Sequence, residues 1–168
     1  VMFTSANPGA GKTFVSSNLA MSIAQTNKKV VLVDVDIRKG TLSGIFSNSS
    51  GRMGLTHYLS GRTDDLNDII GTSEEYGKLD IIFSGPVPPN PAELLLSERF
   101  DHLIAELRKQ YDYIIVDNVP AGMVADASIV NRVADLTIFV VRSGVMDRRQ
   151  LPELEKMYRE AVSYTHLR

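Results

Sequence analysis

The run Ser5-Ala6-Asn7-Pro8-Gly9-Ala10-Gly11-Lys12-Thr13 constrains this chain most, because it stands between a short apolar run, Val1-Met2-Phe3, and the start of a helical pattern. Small residues let the backbone curl until successive N–H groups and the N-terminus of the next helix face one anion. Lys12 then reaches the outer phosphates, and the Thr13 hydroxyl is placed to hold Mg²⁺. The strict pattern G-x-x-x-x-G-K-[ST] asks for glycine where Ala6 stands, a mild departure, since Gly9 and Gly11 still flank the sharpest part of the curl. A strand, such a loop and a helix in that order form a phosphate-binding unit.

The remaining pattern extends that unit into an alternating chain. Val15, Leu19 and Ile23 recur four residues apart with Ala20 and Ala24 beside them, which predicts a helix packed on one face. Val30-Val31-Leu32-Val33 and Tyr113-Ile114-Ile115-Val116 are unbroken apolar runs, the mark of strands covered on both faces of a parallel sheet, and Asp34 and Asp117 end them. Leu79 to Phe83 and Leu136 to Val141 read as further strands, the latter also buried. Between Thr41 and Lys78 a long crossover with little sheet is expected, with a Gly/Ser-rich patch at 47–51 and helical pieces at Leu55 to Leu59 and Leu66 to Ile70.

The prolines at 86, 88, 89 and 91 predict a stiff extended loop. One long helix then carries Leu96, Phe100, Leu103, Ile104 and Leu107 on one face and ends near Gln110. Asn118 to Gly122 turns the chain, a helix runs from about Asp126 to Val133, and Leu151 to Glu160 begins another. The expected fold is α/β: a three-layer α/β/α sandwich with a mostly parallel central sheet, its functional residues at the carboxyl ends of the strands.

At 168 residues the chain fits one domain, read as 1–161 and cut at both ends because Val1 starts inside a strand; 162–168 continue no upstream pattern and stay unassigned, a candidate foreign tail. With Lys+Arg 18 against Asp+Glu 20 the net charge is -2, so no global basic field argues for nucleic acid or anionic lipid. There is no cysteine, and His57, His102 and His166 share no ligand spacing, which argues against zinc. No apolar run approaches the ~20 residues of a membrane span, so this chain by itself is expected to be soluble.

The chemistry concentrates at three strand ends. Asp117 after four apolar residues has the form of a Walker B carboxylate that holds Mg²⁺ directly or through water. Asp34 and Asp36, two apart, would point to the same side if the chain stayed extended; one can position Mg²⁺ while the other takes a proton from an attacking hydroxyl. Each singly could instead cap a turn or pair with Arg38, and Lys39 reads as solvated. Arg38 could neutralise phosphate charge or brace the carboxylates. Tyr111 and Tyr113 read as packing residues, and the Arg148-Arg149 pair as a solvated face.

The run Val31 to Gly40, with the loop before it and Tyr113 to Asp117 after it, resembles the Walker A′, A and B set of bacterial tyrosine kinases. Gly85 to Leu95 and Ser97-Glu98-Arg99-Phe100 are similar to the capsular and exopolysaccharide tyrosine autokinases, a P-loop NTPase family, and the likeness extends to about Glu160. It implies Mg²⁺-dependent transfer of the ATP γ-phosphate to tyrosine, in control of exopolysaccharide or capsule synthesis and export. Carried over residue by residue, Asn7, Pro8, Gly9, Ala10, Gly11, Lys12, Thr13, Phe14 and Arg38 would bind the nucleotide. Thr13, Asp34 and Asp117 would hold Mg²⁺; Lys12, Asp34, Asp36 and Asp117 would be catalytic, with Asp36 the better candidate base.

The resemblance also implies a homo-oligomer, a tyrosine-rich C-terminal tail from a neighbouring subunit as acceptor, and the cytoplasmic end of a membrane polysaccharide co-polymerase domain as partner. That places the whole protein at the cytoplasmic face of the bacterial inner membrane. Here the tyrosines are scattered at 58, 76, 111, 113, 158 and 164 rather than clustered. The turn Asn118-Val119-Pro120-Ala121-Gly122 is similar instead to septum-positioning and chromosome-partitioning ATPases, nucleotide-dependent switches and the alternative reading. Those proteins carry an additional lysine where this chain has Asn7.

Overall fold

Every other residue of the central strands faces a different layer, and that alternation builds the molecule. The computed structural model describes residues 1–46, 53–73, 78–120, 126–152, 154–156 and 158–159. Its strands are β1 (Met2–Ser5), β2 (Val30–Asp34), β3 (Ile70–Ser73), β4 (Leu79–Ile82), β5 (Tyr113–Asp117) and β6 (Thr137–Val140); its helices are α1 (Lys12–Ala24), α2 (Leu55–Leu59), α3 (Pro91–Leu96), α4 (Glu98–Gln110) and α5 (Asp126–Asn131). The sheet order is β3-β4-β2-β5-β1-β6. All neighbours are parallel except β3, which runs antiparallel to β4.

Val31, Val33, Met2, Ile82 and Val116 point into one core with Leu55, Leu95, Phe100, Leu103 and Leu107 of α2, α3 and α4. Val30, Leu32, Phe3, Leu79, Ile81 and Ile115 point into the other, beneath Ala20 and Ala24 of α1. This is the expected three-layer sandwich. Both faces of β2 are apolar because both are covered, so the run carries no polar alternation.

Several details differ from the pattern reading. The crossover contains a strand, β3, and the expected helical piece at Leu66 to Ile70 is a single 3₁₀ turn, Leu66–Asp68, leading into it. The buried face of α1 is made by Ser16, Ser17, Ala20 and Ala24 with Lys12, whereas Val15 is exposed. Small residues win there because the helix lies close on the sheet.

The expected single helix after the proline loop is two helices. Ser97 takes an extended conformation between them and its hydroxyl donates to the Leu94 carbonyl (2.6 Å). The break turns Leu95 inward and leaves Leu96 exposed. Pro91 is not in the loop but opens α3, where a missing N–H is harmless. β6 is the outermost strand of the described sheet, so it is only partly covered, and Leu136 and Val141 at its ends are exposed.

Tyr113 is likewise exposed at the start of β5. The described positions between 151 and 159 are helical, as the pattern suggested. The 47–51 patch, Tyr76, the Ala121-Gly122 end of the turn and the 162–168 tail lie outside the described residues.

Candidate functional site

The carboxyl end of β1 begins the site. The Ser5 hydroxyl donates to the Asn7 carbonyl (2.8 Å), starting the curl. Gly9 and Gly11 then take φ of +74° and +94°. A Cβ at either would meet nothing within 4 Å, so the left-handed torsion rather than crowding demands glycine. Ala6 is spared this: among the described residues only Asn27 has a positive φ without being glycine, so the departure from the strict pattern brings the loop no strain. Gly11 is the N-cap of α1, whose first free N–H groups therefore extend the loop's own row of donors.

A cavity of about 550 Å³ opens over these strand ends, within the range of small-molecule sites. Gly9, Gly11, Lys12, Thr13, Asp36, Arg38 and Asp117 all line it. Register explains the convergence: Asp34 is level with Asp117 across β2 and β5, and Asp117 is level with Phe3 across β5 and β1.

Electrostatically the floor is unusual. Burial pushes the Lys12 ammonium below its ordinary pKa, while Asp117 and Asp36 pull it back up and Lys39 pushes it down. Asp117 is 1% exposed, and burial raises its carboxyl; the Thr13 hydroxyl, Lys12 and the Ser16 hydroxyl act against that rise. Its Oδ1 is buried with no hydrogen-bond partner among the described residues.

The two carboxylates of the Val33-Asp34-Val35-Asp36 run are not equivalent. β2 ends at Asp34, so the extended geometry that would aim them alike is lost. Asp34 is fully buried; its Oδ1 accepts from the Asp36 N–H (3.1 Å) and its Oδ2 from the Leu42 N–H (3.2 Å). Burial drives its pKa up to about 7; the Leu42 hydrogen bond opposes this, and the Asp117 and Asp36 charges add to it. Asp36 is partly exposed and lines the cavity. Its Oδ1 accepts from the Lys39 N–H (3.2 Å), and its carbonyl accepts from Gly40 (2.8 Å), which closes the turn that presents Arg38.

An orphaned buried carboxylate oxygen beside a hydroxyl suits a hard divalent cation. Among the described residues no group of three or more His, Cys, Asp or Glu side chains could hold a metal by itself. An ion here would thus take Thr13 and Asp117 as protein ligands and complete its shell with phosphate oxygens and water. The Thr13 and Thr41 hydroxyls lie 3.2 Å apart at this point.

A family model described as an AAA domain matches residues 1–159. Tyrosine-protein kinase CpsD of Streptococcus pneumoniae is 40% identical over 156 residues, covering 93% of this chain and 68% of CpsD. The chain belongs to the bacterial tyrosine-kinase family of P-loop NTPases. The solved kinase domain of Escherichia coli tyrosine kinase ETK superposes with a TM-score of 0.88 at 39% identity, covering 95% of this chain and 62% of that one. The septum site-determining protein MinD from Pyrococcus horikoshii, solved with Mg-ADP, is more distant, with a TM-score of 0.68 at 26% identity over 83% of this chain. In the longer relative etk of Escherichia coli the match covers 20% of the protein.

Within this kinase fold the expected nucleotide residues separate into two groups. Pro8, Gly9, Gly11, Lys12, Thr13, Phe14 and Arg38 line the cavity. Asn7 and Ala10 instead border a small crevice against Val140, Val141 and Arg142 on the far side of the loop. The Asn7 carboxamide is paired with Gln150: its Nδ2 donates to Oε1 (2.9 Å) and its Oδ1 accepts from Nε2 (3.4 Å).

Sequence reasoning missed Thr41, Ile45 and Asn118 on the cavity wall; Lys39, read as solvated, is exposed and also lines the cavity. Asn118 follows directly on Asp117, the expected Walker B residue, which was the available signal. Nothing local marks Ile45 or Gln150. Two of the histidines make local structural contacts: His57 Nδ1 accepts from the Gly54 N–H (3.0 Å), and His102 Nδ1 pairs with the Tyr58 hydroxyl (3.1 Å); His166 lies outside the described residues.

Proposed function

We propose that this domain catalyses Mg²⁺-dependent transfer of the ATP γ-phosphate to a tyrosine hydroxyl. The observation that carries the reading is one cavity bringing together the buried Lys12 ammonium, the Asp36 carboxylate and the Asp117 carboxylate, whose Oδ1 has no hydrogen-bond partner among the described residues. The loop amides and Lys12 would hold the β- and γ-phosphates, and the buried position of Lys12 strengthens its attraction for phosphate oxygen. Thr13 and Asp117 would hold Mg²⁺, which when bound neutralises charge on the phosphates.

Asp36 is the proposed base. As the tyrosine oxygen forms its bond to the γ-phosphorus, the bond from that phosphorus to the β–γ bridging oxygen breaks, and the phenolic proton passes to the Asp36 carboxylate. ADP carries away the electron pair of the broken bond. Asp34 was expected among the metal ligands, but both its oxygens are engaged by main-chain N–H groups, so positioning the Asp36 turn is the role its contacts favour. Arg38, which also lines the cavity, would add positive charge toward the phosphates.

On this reading the acceptor is a tyrosine-rich tail of a neighbouring subunit in a homo-oligomer. The domain would work beside the cytoplasmic end of a membrane polysaccharide co-polymerase, at the inner face of the bacterial inner membrane, in exopolysaccharide or capsule production. Among the described residues no helix is long and apolar enough to cross a membrane.

The test follows γ-labelled ATP into tyrosine and into free phosphate, with Mg²⁺ and a tyrosine-rich tail peptide, for the wild type, Lys12→Ala and Asp36→Asn. Tyrosine label lost in both variants, with ADP binding retained by Asp36→Asn, is the expected result. Lys12-dependent free phosphate with no labelled tyrosine would favour the partitioning-type ATPase instead. Normal transfer by Asp36→Asn would remove that residue as the base.

A further inference from the structure

We propose that the segment 142–150, which leaves β6, braces the phosphate loop from behind, with Gln150 and Arg142 as positioning residues for nucleotide binding. The inference rests on the nucleotide-site reading above and adds residues that its motifs do not contain.

The register places the segment there. Ser5 at the end of β1 is level with Val140 at the end of β6, so the chain leaving β6 runs beside the loop leaving β1. Two contacts follow, both far apart in sequence. Arg142 Nη1 donates to the Gly9 carbonyl (3.3 Å). Gln150 and Asn7 exchange amide hydrogen bonds at 2.9 and 3.4 Å. The entry of the loop and its crown are thus tied to one segment on the side away from the cavity.

Gly9 and Gly11 make such ties useful. Glycine loses more conformational freedom on ordering than any other residue, and this loop must order two of them at positive φ before its N–H groups converge on one anion. A loop held from behind meets its ligand with that ordering already done, and affinity rises accordingly. Asn7 gives the clearest sign that this is how it works here. It lies within the phosphate-loop motif, yet its side chain faces the brace rather than the cavity.

The experiment measures Mg-ADP affinity and melting temperature for the wild type, Asn7→Ala, Gln150→Ala, the double alanine variant, Arg142→Ala and the swapped pair Asn7→Gln with Gln150→Asn. A hydrogen-bonded pair of this kind is expected to be worth about 3- to 10-fold in affinity. Each alanine variant at 7 or 150 should bind ADP that much more weakly, the double variant no worse than either single, and the swap should recover most of the loss. Arg142→Ala should weaken binding about 2- to 3-fold, as suits one longer hydrogen bond.

Melting temperatures within about 2 °C of wild type would separate positioning from general destabilisation. Unchanged affinity in Gln150→Ala, losses that multiply in the double variant, or losses that track melting temperature would each overturn the brace. A wild type that bound no adenine nucleotide would fail earlier, at the nucleotide-site reading itself.

Discussion

Replacing Asp34 by asparagine tests the electrostatics of the site floor without any substrate. Its carboxyl is buried and titrates near about 7, against 3.8 for the unperturbed group. A carboxyl raised in this way contributes stability that is complete below the unfolded value of 3.8 and is lost as pH rises through about 7. Between pH 5 and pH 8 ionisation favours the unfolded chain by about 4 kcal/mol and the folded one by about 1.4 kcal/mol, so the wild type loses roughly 3 kcal/mol over that window. Asparagine does not titrate.

It also lacks one acceptor and must weaken a bond to the Asp36 or Leu42 N–H, but that penalty is the same at both pH values and cancels in the comparison. Groups such as Asp117 titrate in both proteins and cancel to first order. The melting-temperature difference, Asp34→Asn minus wild type, should therefore grow by about 6–12 °C from pH 5 to pH 8, for a domain of this size. Thermal or urea melts without nucleotide or Mg²⁺ measure it. A difference that stays flat within about 1 kcal/mol would show that Asp34 is not held in its neutral form, and the account of the buried floor would fail.

Asp117→Asn should raise the Mg²⁺ concentration needed for half-maximal transfer at least about tenfold, since hard cations select carboxylate oxygen; an unchanged Mg²⁺ titration would remove Asp117 from the metal's shell. Gly54→Ala should destabilise the domain by about 2–3 kcal/mol in urea, because the added Cβ would meet the Gly85 N at 2.5 Å and the Phe83 carbonyl at 2.7 Å, both backbone atoms that cannot swing away. Arg99→Ala should lower stability by about 2–3 kcal/mol, since its guanidinium donates to the Tyr58 and Thr63 carbonyls at 2.8 and 3.0 Å and stacks 4.9 Å from the Tyr58 ring. Asp64→Ala should change it by under about 1 kcal/mol, the partner carboxylate being solvent-exposed. Equal losses in these two variants would contradict that division.

The phosphate loop, the apolar strands and the carboxylates at their ends were legible because each is written in consecutive residues. Val30 to Asp34 states its own burial on both faces, and Gly9 and Gly11 state their own torsions. From such runs follow the α/β class and most of the cavity wall. The edges were harder. β3 is four residues, Ile70–Ser73, that pair with β4 but carry no strong strand pattern, so only the partner identifies them. Ser97 divides a helix that periodicity would run straight through: it takes an extended conformation and its hydroxyl turns back to the Leu94 carbonyl, which ends the first helix despite the continuous apolar stripe.

What the sequence supplied by itself is the list of candidates for the site: a curl of small residues, one lysine, one threonine and three aspartates at or just past strand ends, residue types whose chemistry suits phosphate and Mg²⁺. Only the tertiary structure decided which of them are buried, which are engaged by the backbone and which line the cavity. Asp34 and Asp36 are two residues apart and chemically identical, yet two backbone N–H groups bury and occupy one while the other faces the cavity. Asn7 lies inside the motif and turns to Gln150, 143 positions away. Burial and hydrogen-bond partners are set by parts of the chain that no local window contains.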